Sequence, residues 1–140
     1  MDFKRLMSTD AGWGMFVLRI VTGIIFIGHG APKFGFIGER TLSGTAEFLG
    51  SIGIPMPMVG AFLVAAFETF GGAFLIIGLL TRFWSAGLAF AMLIAVTMVH
   101  LSNGMFGQGG YQWALLLMAC SLALMIDGAG KASLDKKLSS

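Results

Sequence analysis

Arg19, His29, Lys33, Glu68 and His100 are ionisable side chains set in or beside long apolar runs. A charge in such a setting is costly unless it is paired or faces a protein interior, so each marks a structural pair or a working site. Residues three and four apart share a helix face. That spacing puts Arg19, Thr22, Phe26, His29 and Lys33 on one stripe, Glu68 beside Gly71 and Gly72 on a second, and Thr97 with His100 on a third. The chemistry open to these types is proton transfer at Glu68, with Arg19 setting its charge, and donation from a histidine to a ring carbonyl oxygen. Glu68, His100 and His29 are the candidate catalytic groups. Arg19, His29, Lys33, Glu68, Thr97, His100 and Asn103 are the candidate contacts to a bound cofactor. The competing reading makes Arg19 and Glu68 an ion pair that ties two helices together near mid-membrane.

Metal chemistry has weaker support. Zinc takes three or four good ligands. His29 and His100 with Glu47 supply three on paper, but Glu47 falls on a separate segment. Two histidines at one depth also fit paired haem ligands, yet nothing turns both rings toward a shared iron. No bound metal or haem is expected. The single cysteine, Cys120, excludes a disulfide framework and a self-contained dithiol enzyme.

The elements that position these groups follow from composition. Of 140 residues, 56% are hydrophobic and 11% charged, against about 25% charged in an ordinary soluble domain. Mean hydropathy is +0.87. A soluble globule of this size cannot bury so much apolar surface. A net charge of +2 without a basic run excludes nucleic-acid binding. The chain reads as a single transmembrane domain over 1–140, an all-α four-helix bundle. Spans are predicted at about 12–30, 57–80, 83–101 and 111–127, each close to the roughly 20 residues a crossing needs. The first could pass for a signal peptide, but Arg19 interrupts it and no small-x-small cleavage site follows.

Six Lys or Arg (Lys4, Arg5, Arg82, Lys131, Lys136, Lys137) fall on the side of the termini and two (Lys33, Arg40) on the other. This bias predicts cytoplasmic termini in a bacterial inner membrane. In the first outer connection, 41–52 predicts a short interfacial helix, N-capped by Ser43, with Phe48, Leu49 and Ile52 toward the bilayer. The second outer connection, 102–110, is glycine-rich and can dip toward the bundle. Ala61, Ala65, Thr69 and Ala73, and Gly87, Ala91 and Ala95, form small-residue stripes for close helix packing, with self-association as the lesser alternative. With helix ends aligned, Arg19 lies about 10 Å and Glu68 about 18 Å from the cytoplasmic boundary, within reach of each other, and both histidines lie about 25 Å in.

The ordered set Arg19…His29-Gly30…Lys33, Gly53-Ile54-Pro55, Glu68…Gly71-Gly72, Gly78-Leu79-Leu80-Thr81-Arg82, His100…Asn103-Gly104 and Gly109-Gly110-Tyr111 resembles the DoxX family over about 12–135. The resemblance implies a four-helix bacterial inner-membrane protein in a redox setting. Relatives include a membrane subunit of thiosulfate:quinone oxidoreductase and mycobacterial proteins that act with a superoxide dismutase and a sulfur transferase against oxidative stress. Relatives often carry an acid after Gly-Gly-Tyr. This chain has Gln112, so no proton role passes to that position.

The expectation is a redox subunit that binds a quinone or a similar lipophilic acceptor. A protein partner or a small sulfur compound would donate the electrons, since the chain carries no redox group of its own. A small-solute transporter or channel and a non-catalytic membrane anchor are the alternatives.

Overall fold

The 23 residues from Gly12 to Phe34 form one continuous apolar helix, long enough to cross a bilayer. In this computed structural model, which describes residues 11–140, it comprises α1 (Ala11–Gly30) and a tighter terminal turn, Ala31–Phe34. Lys4 and Arg5, counted in the charge bias, lie outside the described residues. α2 is the short helix Leu42–Ser51. α3 (Pro57–Ile77) and α4 (Thr81–Asn103) are the other two helices of spanning length. α5 (Gln112–Asp127) has 16 residues, or about 24 Å at 1.5 Å per residue. α6 (Leu134–Ser139) closes the chain. The helical membrane fold expected from composition is what forms.

Neighbouring helices run α1, α3, α4, α5 and back to α1 around the bundle. Phe26, Leu75, Leu88, Met92, Ala114 and Leu124 fill its centre. The closest crossing is between α1 and α3. A Cβ on Gly23 would sit 2.6 Å from the Gly72 carbonyl oxygen, and one on Gly72 equally close to that of Gly23. Gly30 packs on the backbone of Thr69 and the Cβ of Glu68 in the same way. Small residues thus set the helix distance.

Both ends of the bundle have distinct structure. At the end holding the α3–α4 turn, here the turn end, the Gly78 N–H donates to Phe74 O (2.8 Å) and Gly78 takes a left-handed φ of 70°. The segment after α5 folds back beneath this turn. Asp135 accepts from the N–H groups of Leu80 (2.7 Å) and Thr81 (2.9 Å), capping α4 from a distance in sequence, and its own N–H donates to Gly78 O. At the opposite end, the loop end, α2 lies on α3, with Ala46 and Leu49 buried against Ala61.

Several local expectations change here. The cap of α2 is Thr41, whose Oγ1 accepts from Gly44 N at 3.0 Å, in place of Ser43. Thr41 is the last extended residue (φ −133°, ψ 158°), while Ser43 is already inside the first turn. Leu49 faces α3 and not the bilayer, and Ile52 packs beside it. The 102–110 loop closes on itself, with Tyr111 N donating to Gly104 O and Gly110 N to Gly107 O, and leaves Phe106 exposed.

Candidate functional site

The helix register decides which charges meet. Gly72 stands opposite Gly23 and Glu68 opposite Gly30, so Arg19 comes level with Gly78 at the turn end. The expected Arg19–Glu68 pair therefore does not form. Aligning helix ends misplaced both residues, because α1 reaches further toward the turn end than α3 does. Arg19 is fully buried, donates from Nη2 to Ala132 O (2.8 Å), and lies over the Phe16 ring. It holds the returning C-terminal segment against the bundle.

Glu68 pairs with Lys33 instead. Lys33 Nζ contacts Glu68 Oε2 and also donates to His29 O at 2.7 Å. The final turn of α1 carries Lys33 past the close Gly30 contact and lets its long side chain reach Glu68. Both side chains are largely buried, 12% and 6% exposed, so the pair is screened from solvent. Glu68 lies in a widened, π-type turn, Phe67–Gly71, and His100 ends a second one, Ala95–His100. Such turns re-aim side chains and recur at functional sites.

These groups border one cavity of about 650 Å³. His29 and Lys33 from α1, Glu68 from α3 and His100 from α4 line it, and α2 closes it with Thr45 and Phe48. Glu39 and Arg40, from the connection ahead of α2, stand at its rim. The α4 wall, including Ala91, Ile94, Ala95 and Val99, is apolar. Beyond Glu68 the bundle is filled by Phe26, Leu75 and Leu88, so the cavity occupies the loop-end half.

His100 has a defined role in this wall. Its Nδ1 lies 2.8 Å from Gly109 O, which also accepts from Asn103 Nδ2 at 3.0 Å. A carbonyl oxygen can only accept, so Nδ1 carries the proton. With Nδ1 committed to Gly109 O, Nε2 of the neutral ring is an acceptor position.

Of the seven predicted contact residues, His29, Lys33, Glu68 and His100 come together. Arg19 lies at the far end. Thr97 donates to Leu93 O along its own helix (2.8 Å), and Asn103 acts only through Gly109. Glu47 is exposed and does not line the cavity. Phe26 is buried in the core and Phe90 is exposed, and neither lines the cavity. Among the described residues, no group of three or more His, Cys, Asp or Glu is placed to hold a metal ion. Glu39 escaped the sequence reading and Arg40 entered it only in the charge bias, although two adjacent opposite charges just before an N-cap signal were visible.

The DoxX family model matches residues 14–101, which carry every group in this cavity. The chain belongs to the DoxX family. This DoxX protein is 38% identical over 111 residues, 79% of its length and 78% of the relative's, to CatD of Bacillus subtilis, whose name carries a provisional oxidoreductase label. It is 28% identical over 130 residues to the Escherichia coli inner membrane protein YphA, covering 88% and 89% of the two chains. It is also 28% identical over 150 residues to the uncharacterized membrane protein Rv3486 of Mycobacterium tuberculosis, covering 99% and 89%. No solved structure matches the chain.

Proposed function

We propose that this DoxX protein is the quinone-binding membrane subunit of a redox system, with the loop-end cavity as its site. The observation that carries the reading is the buried Lys33–Glu68 pair at the floor of a cavity whose α4 wall is apolar. The volume lies within the range of small-ligand pockets, about 300–1,000 Å³. A flat apolar ring fits the α4 wall, and its oxygens fit the polar wall opposite.

A quinone supplies a two-electron, two-proton acceptor when bound. The residues of the chain handle orientation and protons. Lys33 Nζ is the donor toward a carbonyl oxygen. Glu68 Oε2, in contact with Lys33, holds a proton or returns one to it. His100 Nε2 accepts from a hydroxyl, and His29 at the rim exchanges protons with water. The electrons come from a partner protein or a reduced sulfur compound. The filled turn-end half of the bundle favours binding over conduction through one protomer. The CatD likeness and the charge bias support a redox role in a bacterial inner membrane, with the cavity toward the outer face.

Purified protein in nanodiscs should bind a ubiquinone or menaquinone analogue, and Glu68→Gln and His100→Ala should each weaken binding at least tenfold. Equal affinity in all three proteins would overturn the assignment.

A further inference from the structure

The open side of the cavity has a chemistry of its own. α2 packs on α3 and on the final turn of α1. The loop-end half of α3, Pro57–Ala66, runs beside α1 and α2, while it is the π-type turn and the part beyond it that meet α4. α3 and α4 therefore part toward the loop end, and the gap between them opens into the cavity. Val64 stands on one lip and Ile94 on the other, with Ala91 and Ala95 behind.

Depth decides what fills this gap. α4 has 23 residues from Thr81 to Asn103, and Ala91 is the eleventh. The cavity follows α4 from Ala91 to His100, about 13 Å at 1.5 Å per residue. In a hydrocarbon core about 30 Å thick, that stretch runs from the middle of the membrane toward its surface. The gap at Val64 and Ile94 thus faces lipid chains and not water. The polar wall lies across the cavity from it, at Lys33, Glu68 and His29.

Resting on the quinone reading, we propose that the ligand enters sideways from the bilayer between α3 and α4, and that its long prenyl or alkyl chain stays in the Val64–Ile94 gap while its head meets Lys33 and Glu68. The site then takes membrane-dissolved amphiphiles. A chain already dissolved in lipid gains only packing on entering the gap. The discrimination therefore comes from the shape of the gap.

Two probes with one head group test this in nanodiscs: a short-chain, water-soluble quinone and a quinone with a long prenyl tail. Val64→Phe, on the α3 lip and away from the α4 wall that takes the ring, should weaken the tailed probe at least tenfold and the short one less than threefold. Retained binding of the short probe also shows that the variant is folded. If Val64→Phe does not insert, Val64→Met narrows the same gap from α3 by less and should shift the two probes in the same order. Equal loss for both probes, or no loss for either, overturns the lateral route. Failure of the unaltered protein to bind either probe overturns the quinone reading itself, and the route with it.

Discussion

At the scale of single residues, the controlling feature is the exchange of partners. Glu68 takes Lys33, not Arg19. Removing one member of a buried pair leaves an uncompensated charge, at a cost of about 3–5 kcal/mol, whereas replacing both by apolar groups is often neutral. Lys33→Met should therefore lower thermal stability in detergent sharply, and Lys33→Met with Glu68→Leu should recover most of the loss while remaining unable to bind quinone. Arg19→Leu should not spare Lys33→Met, because Arg19 has no part in the pair. A double variant as unstable as Lys33→Met alone would contradict the pairing. The sequence made the candidate charges legible, since ionisable groups stand out in apolar runs. It could not show which met, because that depends on how far α1 slides along α3. The Gly23–Gly72 contact fixes the slide, and no spacing rule within one helix contains it.

At the scale of elements, the spans and the short α2 were legible from apolar run length and from the Thr41–Ser43 signal. The π-type turns at Phe67–Gly71 and Ala95–His100 were not, because an inserted residue leaves little trace in a hydrophobic pattern. The returning C-terminal segment was also hidden, since Asp135 caps α4 across 55 residues of sequence. Burial alone raises the Asp135 carboxyl, but the Thr81 and Leu80 N–H donors and the Arg19 guanidinium outweigh it and hold it below its ordinary value. A depressed carboxyl stabilises the fold above its unfolded value, near 3.9, and that contribution is lost as pH falls through the lower folded value. Hydrogen exchange in 128–140, taken relative to the unfolded-chain rate at each pH, should therefore stay slow at neutral pH and accelerate below about pH 4. Asp135→Asn should speed it at neutral pH by an amount equivalent to a lost cap, about 1 kcal/mol. Exchange in this segment that ignores both changes would contradict the strap.

At the scale of the whole molecule, the bundle is divided along its axis. Toward the turn end the core is filled by Phe26, Leu75 and Leu88, and the C-terminal segment held by Arg19 borders a more open surface hollow of about 640 Å³, while the loop-end cavity lies between α1, α3 and α4. Composition foretold a membrane bundle, yet it gave no hint of this asymmetry. α3 and α4 part at the end where α2 packs on α3, while the Gly78 turn joins them at the other. It also separates the roles of the ionisable groups: Arg19 holds the architecture, and Lys33, Glu68, His29 and His100 face the cavity. Photolabelling with a quinone that carries an azide on its ring, followed by mapping of the adducts, tests that division most directly. Adducts on Thr45, Phe48 or Val99, suppressed by excess unlabelled quinone, are the expected result. Adducts spread over lipid-facing Phe62 and Phe90, or gathered near Arg19 and Ser133, would contradict it.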